Sequence, residues 1–224
     1  MSTAMDSFDK SPLDAFVKSP LDARNAPGNR GLVYSPIGET GLFSDEYFAV
    51  NLRGRVNAPE GEYTFDTRSG FTGSLADYGA VFLFGPPSAS GWVPPPWIGD
   101  LAAYGGRVTV GHFNVLIGEV NPSSFYNLFQ QYSHVVASGN ITIPLTVFPF
   151  ADHPLTEGVG GGIGLVGTVQ VFNVGANIVP LLNGSRSMVY STNPVGSWVV
   201  GWQFGNVYIQ DQGRWIRNVF DASI

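Results

Sequence analysis

The feature that most constrains the fold is a short apolar run at residues 80–84, preceded by a polar lead-in and followed by a proline-rich loop. A run of this kind is typical of a strand covered on both faces, as in a parallel sheet. Strand-like and helix-like segments alternate around it, which predicts an α/β domain. Strands are predicted at 30–36, 62–68 and 107–113, and helices at 44–56, 96–106, 121–139 and 213–222. The helix at 44–56 is predicted to have Ser44 as its N-cap and the acids Asp45 and Glu46 in its first turn.

Charge and composition exclude several classes of function. The formal net charge is −6 and the 11 Lys and Arg residues are scattered, so no basic face for nucleic acid is expected. The chain has no cysteine, which excludes disulfides, thiolate metal sites and a Cys nucleophile. The N-terminus lacks an apolar leader and no stretch approaches the ~18 apolar residues of a membrane span, so we expect an intracellular protein without a membrane partner.

The chain divides into two parts that differ in amino-acid composition and hydrophobic pattern. Residues 1–29 are small, polar and proline-containing with isolated apolar positions, which predicts an extended N-terminal arm. Residues 30–224 are predicted to form a single α/β globular domain. From residue 140 onward, short strand-like segments separated by Gly, Pro and Asn predict a β-rich C-terminal half.

Five phrases of the body resemble, in order and spacing, the class I glutamine amidotransferase-like proteins, including their ThuA-like members. The resemblance covers about residues 31–222 and implies a flavodoxin-like, three-layer α/β domain. The phrases are "LADYGAVFLFG", "WIGDLAAYGGRVTVG", "DHPLTEGV", "VPLL" and "WVVGWQFGN...QGRWIRN".

The same resemblance implies that the catalytic group of that family is missing. Its catalytic members carry a Cys in a tight turn after the strand corresponding to "GRVTV", with a His later in the chain. Here the turn reads "VGHFN", with Gly111 at the nucleophile position and His112 beside it. We therefore expect no catalytic residues, no cofactor and no enzymatic activity.

Other motifs are weak indications of chemistry. The histidines show no metal-ligand spacing and the chain lacks a G-x-S-x-G elbow, so neither a metal site nor a serine hydrolase is predicted. The glycines at 162, 164 and 167 fit G-x-G-x-x-G but have no helix after them, and a turned loop is expected instead. An alternative is a ligand pocket in which His112 and His153 face each other near Glu157 or Asp152.

The arm contains one eight-residue phrase, F-x-K-S-P-L-D-A, twice without a gap, at residues 8–15 and 16–23. The two copies are expected to act as two equivalent binding peptides linked in one chain. Once one copy is bound, the link raises the effective concentration of the other at a neighbouring site. A symmetric protein oligomer offers the same groove repeatedly and is the expected partner. The predicted anchors are Phe8, Leu13, Phe16 and Leu21, with Lys10, Asp14, Lys18 and Asp22 setting the register.

An arm of this kind before a small, low-charge, cysteine-free body is similar in style to accessory proteins of tailed-bacteriophage virions. We therefore expect a non-enzymatic structural or adaptor protein of a tail, baseplate or capsid, held on a ring or shell protein of the virion. The alternatives are an amidotransferase-like domain that binds or processes a small ligand or carbohydrate, and a duplication within an inert linker.

Overall fold

A computed structural model of the 224-residue chain describes residues 27–35, 37–41, 43–56, 62–85, 94–113, 123–192, 196–204 and 211–222. Its strands are β1 (Arg30–Tyr34), β2 (Thr64–Asp66), β3 (Ala80–Gly85), β4 (Arg107–Phe113), β5 (Ala137–Pro149), β6 (Gly162–Phe172), β7 (Ile178–Leu182), β8 (Ser185–Thr192) and β9 (Ser197–Phe204). Its α-helices are α1 (Asp45–Val56), α2 (Ser123–Asn127), α3 (Gln130–Ser133) and α4 (Gln212–Asp221).

Seven of these strands form the main sheet in the order β2-β1-β3-β4-β9-β8-β7. The first five are parallel, and β8 and β7 join them as an antiparallel edge. The parallel part has the flavodoxin-like order, with the reversal of strand order between β1 and β3. The sequence alone does not decide whether the strands of the C-terminal half join the sheet formed by the earlier strands. In the structure, β7, β8 and β9 do join it.

The apolar run at residues 80–84 lies in β3, where every residue is buried. β3 pairs with β1 on one side and β4 on the other, so its backbone groups are satisfied within the sheet. Its side chains alternate between two apolar clusters, with Phe82 and Phe84 in one and Val81 and Leu83 in the other. The prediction of a strand covered on both faces is confirmed.

Helix α1 begins where the sequence predicts a cap. The Ser44 hydroxyl accepts a hydrogen bond from the Tyr47 amide at 3.1 Å, which satisfies one of the free donors of the first turn. Asp45 and Glu46 lie in that turn, and Arg53 and Arg55 lie in the last turn, in favourable positions relative to the helix dipole.

Helix α4 packs against the same face of the sheet as α1. The Asp211 carboxylate caps its start by accepting from the Arg214 amide at 3.0 Å. Its last turn is held by Arg107 of β4, whose Nη1 donates to the Val219 carbonyl oxygen at 2.6 Å. The Trp215 side chain is buried and stacks on Trp202 of β9, with 4.7 Å between ring centroids.

Strands β5 and β6 form a separate antiparallel ribbon, from Ala137 opposite Phe172 to Pro149 opposite Gly162. We call these two strands the ribbon. β6 is the inner strand and contributes Ile163 and Leu165 to the core that also contains α1 and α4. β5 is the outer strand, and none of its residues is buried.

Two sequence-based predictions are corrected here. The helix expected at 121–139 is instead the two short helices α2 and α3, followed by His134 in the left-handed conformation (φ 60°) and by the start of β5. The chain leaves the helix there because the residues that follow pair with β6. The segment at 96–106 contains only the 3-10 helix Ile98–Ala102.

The glycine-rich run expected as a loop is a further correction, because Gly162, Gly164 and Gly167 lie within β6. A Cβ at Gly162 would lie 2.3 Å from the Phe148 carbonyl oxygen, so glycine is required for the close approach of β5. Gly167 has φ +80° and lies opposite Ile143, beside the register shift between Ile143 and Thr146.

Candidate functional site

In a flavodoxin-like sheet, ligands bind outside the carboxyl ends of the strands at the reversal of strand order. Here that point lies between β1 and β3, where β1 runs into Ser35 and α1 begins at Asp45. Arg68 joins them from the segment that follows β2, in the 3-10 helix Arg68–Gly70. These three residues form the most connected polar cluster at this edge of the described chain.

The centre of the cluster is the Asp45 carboxylate, which is fully buried. Its Oδ1 accepts from the Ser35 amide at 2.5 Å, and its Oδ2 accepts from Arg68 Nε at 2.5 Å. Arg68 Nη2 also donates to Oδ1, at 3.2 Å, and to the Ser35 carbonyl oxygen. The carboxylate therefore ties the end of β1, the start of α1 and the segment after β2 to one another.

The electrostatics of the cluster match a structural role. Hydrogen bonding to Asp45 raises the pKa of Arg68, so the guanidinium stays charged. The guanidinium lies over the Tyr34 ring, 4.2 Å from its centroid, and burial raises the pKa of Tyr34. Glu39 is exposed, and hydrogen bonds from Ser69 lower its pKa. Because Asp45 is already engaged by Ser35 and Arg68, the cluster stabilises this edge rather than providing a free acid or base.

Sequence reasoning missed this cluster, because it interpreted Asp45 only as an acid in the first turn of a helix. The available signal was the position of Arg68 shortly after a strand that neighbours β1. Carboxyl ends of adjacent parallel strands meet at one edge, so an acid after β1 and a base after β2 were candidates to pair.

The nucleophile position of the resembled family lies in β4, since Gly111 continues the strand to Phe113 instead of entering a tight turn. A Cβ at Gly111 would lie 2.2 Å from the carbonyl oxygen of Trp202 in β9. The register between β4 and β9 shifts at this point, between Val110 and Gly111. The backbone of β9 therefore occupies the space that a side chain at residue 111 would need.

The structure places His153 at the start of the 3-10 helix Pro154–Thr156, between β5 and β6. Its Nδ1 accepts from the Leu155 amide at 3.2 Å, and its ring lies 4.6 Å from the Tyr190 ring. Burial lowers the pKa of His153. The nearby Glu157 is exposed, and its carbonyl oxygen accepts from Asn218 Nδ2 at 2.9 Å.

His112 belongs to β4, where its backbone pairs with Gly85 and Gln203, and its side chain lies outside the described part of the structure. Tyr190, which touches His153, pairs through Val199 with Thr109, three residues earlier in β4. At about 3.3 Å per residue, the backbone of His112 is roughly 10 Å further along the sheet. A pocket shared by the two histidines stays a prediction.

A cleft of about 340 Å³ lies at the opposite, amino-terminal edge, beside the segments that lead into β3 and β4. Its lining includes Tyr78 and Tyr104 but none of the predicted site residues. The Tyr104 hydroxyl donates to the Tyr78 carbonyl oxygen at 2.9 Å, and the Tyr78 hydroxyl donates to Asp66 Oδ2 at 3.2 Å. Both hydroxyls are therefore engaged in holding the fold.

The remaining predicted site residues belong to the arm. All eight lie outside the described residues: Phe8, Lys10, Leu13, Asp14, Phe16, Lys18, Leu21 and Asp22. Within the described ranges, no group of three or more His, Asp or Glu residues is placed to hold a metal ion. None of the helices in those ranges combines the length and apolar character needed to cross a membrane.

No family model matches the chain, and no curated protein matches it in sequence. Among solved structures, the N-terminal domain of mmIFT52 is similar with a TM-score of 0.53 and 12% identity, covering 87% of this chain and 98% of that one. A ThuA-like protein from Bacteroides uniformis ATCC 8492 has a TM-score of 0.49 and 12% identity, covering 87% of this chain and 91% of that one.

A β-galactosidase from Rahnella sp. R3 is also similar, with a TM-score of 0.49 and 12% identity. The match covers 86% of this chain but only 30% of the β-galactosidase, so the chain spans under a third of that enzyme. At such identities the similarity concerns the fold alone. Together with the strand order, the match to mmIFT52 confirms the prediction of a flavodoxin-like α/β fold.

Proposed function

We propose that this protein is a non-enzymatic structural or adaptor component of a large symmetric protein assembly, attached through its N-terminal arm. We propose a bacteriophage virion as this assembly, because the arm and the body together are similar in style to accessory proteins of tailed-bacteriophage virions. In this proposal the repeated peptide supplies the attachment, and the α/β body is the part that is carried or bridged.

The observation that carries the proposal is the closed position at Gly111. The family that the body resembles does its chemistry from a side chain at this place, and here the Trp202 carbonyl oxygen would lie 2.2 Å from a Cβ. The polar cluster around Asp45 does not replace the missing group, because its carboxylate is engaged by Ser35 and Arg68. A domain of this fold that lacks the reactive side chain can still bind other molecules through its surface. We therefore place binding to other proteins before catalysis.

The arm supports attachment through two linked copies of one peptide. Residues 8–15 and 16–23 follow each other directly and precede the 3-10 helix Pro27–Asn29, which packs beside α4. Because the two copies are joined directly in the chain, binding of the first copy holds the second near a neighbouring groove of a symmetric partner. Linkage of this kind strengthens attachment by about 10²- to 10⁴-fold over one copy.

The test uses the full chain and large particles purified from the source of the gene. In a sedimentation assay, we expect the parent chain to travel with the particles and a variant with Ser at Phe8, Leu13, Phe16 and Leu21 to stay in the supernatant. A matched control places Ser at Val50, an exposed aliphatic residue of α1, and should sediment like the parent.

A variant that replaces only Phe8 and Leu13 keeps one intact copy and should bind at least tenfold more weakly than the parent. Circular dichroism of every variant shows whether the body remains folded. The proposal is wrong if the four-Ser variant is folded and sediments as the parent does.

A further inference from the structure

The outer strand of the ribbon combines two properties that rarely occur together on a protein surface. β5 contains 13 residues without a single charged side chain, and none of the 13 is buried. Its aliphatic side chains Ile141, Leu145 and Val147 are exposed by 40%, 52% and 52%. Of these, Leu145 and Val147 lie two residues apart on one side of the strand and form an apolar surface that favours contact with another protein.

The second property is a free edge. Within the described part of the chain, β5 pairs with β6 and with no other strand, so most of its other side has no strand partner. At its C-terminal end, the Pro149 carbonyl oxygen accepts a hydrogen bond from the Asn183 amide at 2.8 Å. Natural proteins protect such edges with charges, prolines, bulges or short strands. β5 has Pro144 and two register shifts, but it is long and uncharged.

The two edge strands of the main sheet are much shorter than β5. β2 has three residues and ends in Asp66, whose carboxylate pairs with Arg30. β7 has five residues and carries Pro180 in its middle. β5 is more than twice as long as either strand, so it is the edge on which an added strand would find the most backbone partners.

The charge distribution indicates which partner fits this edge. The chain has a net charge of −6, so two copies repel each other over most of their surfaces. The ribbon is the exception, because neither β5 nor β6 contains a charged residue. A second copy of the chain can therefore approach at β5 without bringing like charges of the two strands together.

We propose that two copies of this protein pair through β5, antiparallel and related by a twofold axis. The two ribbons then form one four-stranded sheet in the order β6-β5-β5-β6, and the backbone groups of the free edges satisfy each other. Leu145 and Val147, two residues apart on the same side of β5, cover the same side chains of the second copy. Pairing along this length buries on the order of 1,000 Å², near the lower limit for specific interfaces, so the dimer dissociates on dilution.

This pairing goes beyond attachment by the arm and does not depend on it. A dimer would present two arms, and therefore four copies of the repeated peptide, to one assembly. Loss of the dimer lowers the number of arms per particle but leaves each arm intact, so self-association and attachment are measured separately.

The experiment is sedimentation equilibrium of the full chain over two decades of protein concentration. We expect the mass to rise from that of the 24.0 kDa chain to twice that value. The double variant Leu145→Lys with Val147→Lys places two positive charges on each facing strand, and we expect at least tenfold weaker dimerisation. The control Val50→Lys adds a charge at an equally exposed aliphatic position on α1 and should dimerise like the parent.

Spin labels give a second readout that does not depend on weakening the interface. The chain has no cysteine, so Ile141→Cys, Leu145→Cys and Val147→Cys each add one labelling site per copy. Antiparallel pairing requires the distance between labels to be shortest near the twofold axis and to increase by about 6–7 Å for each residue away from it.

Three results would overturn the inference. The first is a parent chain that stays monomeric at every concentration, and the second is a folded Lys double variant that dimerises as tightly as the parent. The third is a dimer that is lost on removal of residues 1–26 but kept in the double variant, which would make the arm the interface. Circular dichroism confirms folding in each case.

Discussion

Strands β3 and β5 both lack charged residues but have opposite surroundings. β3 has only Gly and apolar residues, and β5 combines aliphatic side chains with four polar ones, Ser138, Asn140, Thr142 and Thr146. Every residue of β3 is buried, whereas no residue of β5 is. The difference is in their neighbours, since β3 lies between β1 and β4 under apolar clusters on both faces, and β5 pairs only with β6 among the described strands.

This comparison shows that the absence of charged residues does not by itself report where a strand lies in the fold. An apolar strand in the middle of a sheet contributes to the core of its own chain. The same kind of strand at an edge keeps its apolar surface available to another chain. Substitutions in the two regions should therefore separate cleanly into those that unfold the protein and those that change only its contacts.

The largest effect is expected at the centre of the parallel sheet. Gly111→Ala places a methyl group against the Trp202 carbonyl oxygen between β4 and β9, and backbone cannot move aside as a flexible side chain can. We expect the free energy of unfolding to fall by about 3 kcal/mol or more, measured by urea denaturation. The control Gly99→Ala has no atom within 4 Å of its new methyl group and should stay within about 1 kcal/mol of the parent.

If Gly111→Ala loses no stability, β4 and β9 are not packed as described. That outcome would also remove the physical reason for the absence of a side chain at this position.

An effect of comparable size compares β3 directly with β5. Phe84 is fully buried and stacks on Phe48 with 3.8 Å between ring centroids, so Phe84→Ala should cost about 3–5 kcal/mol. Val147 is about half exposed, and Val147→Ala should cost less than about 0.5 kcal/mol in the monomer. Thermal or urea unfolding at low protein concentration measures both, and equal costs would contradict the contrast between the two strands.

The smallest effect concerns the junction between the two regions, where His153 of the ribbon connection touches Tyr190 of the main sheet. Burial lowers the pKa of His153 in the folded protein, so the unfolded chain binds a proton more readily. Its contribution to stability is complete above the unfolded pKa of about 6.5 and decreases as the pH falls below that value.

The variant His153→Asn tests this, because Asn can keep an acceptor for the Leu155 amide and does not titrate. Between about pH 6.5 and 5, we expect the parent to lose slightly more stability than the variant, by less than about 1 kcal/mol. Parallel profiles of unfolding free energy against pH would show that His153 is not buried as described.

Much of the parallel half could be predicted from the sequence. The apolar run of β3, the Ser44 cap of α1 and the strand at 107–113 are local patterns, and each is where the pattern places it. The prediction of one helix at 121–139 was wrong because the helical periodicity ends where pairing with β6 begins. That pairing is a contact distant in sequence, and no local pattern contains it.

The site was less accessible to sequence reasoning. The sequence shows that a glycine stands at residue 111, where the resembled family has its nucleophile, but the Trp202 carbonyl oxygen that closes this position belongs to a strand about 90 residues later. The contact between Asp45 and Arg68 depends on how two loops meet at one sheet edge. The outer position of β5 has a partial local signal, because Pro144 and its polar residues are typical of an edge strand, but its pairing with β6 is not visible from the local pattern.

The closed space at Gly111 also sets a limit for protein engineering. A reactive side chain cannot be installed here by a single substitution, because it would first require β9 to give up its position beside β4. A designed sequence with a larger residue at 111 therefore has to rebuild the pairing of two strands rather than one side chain.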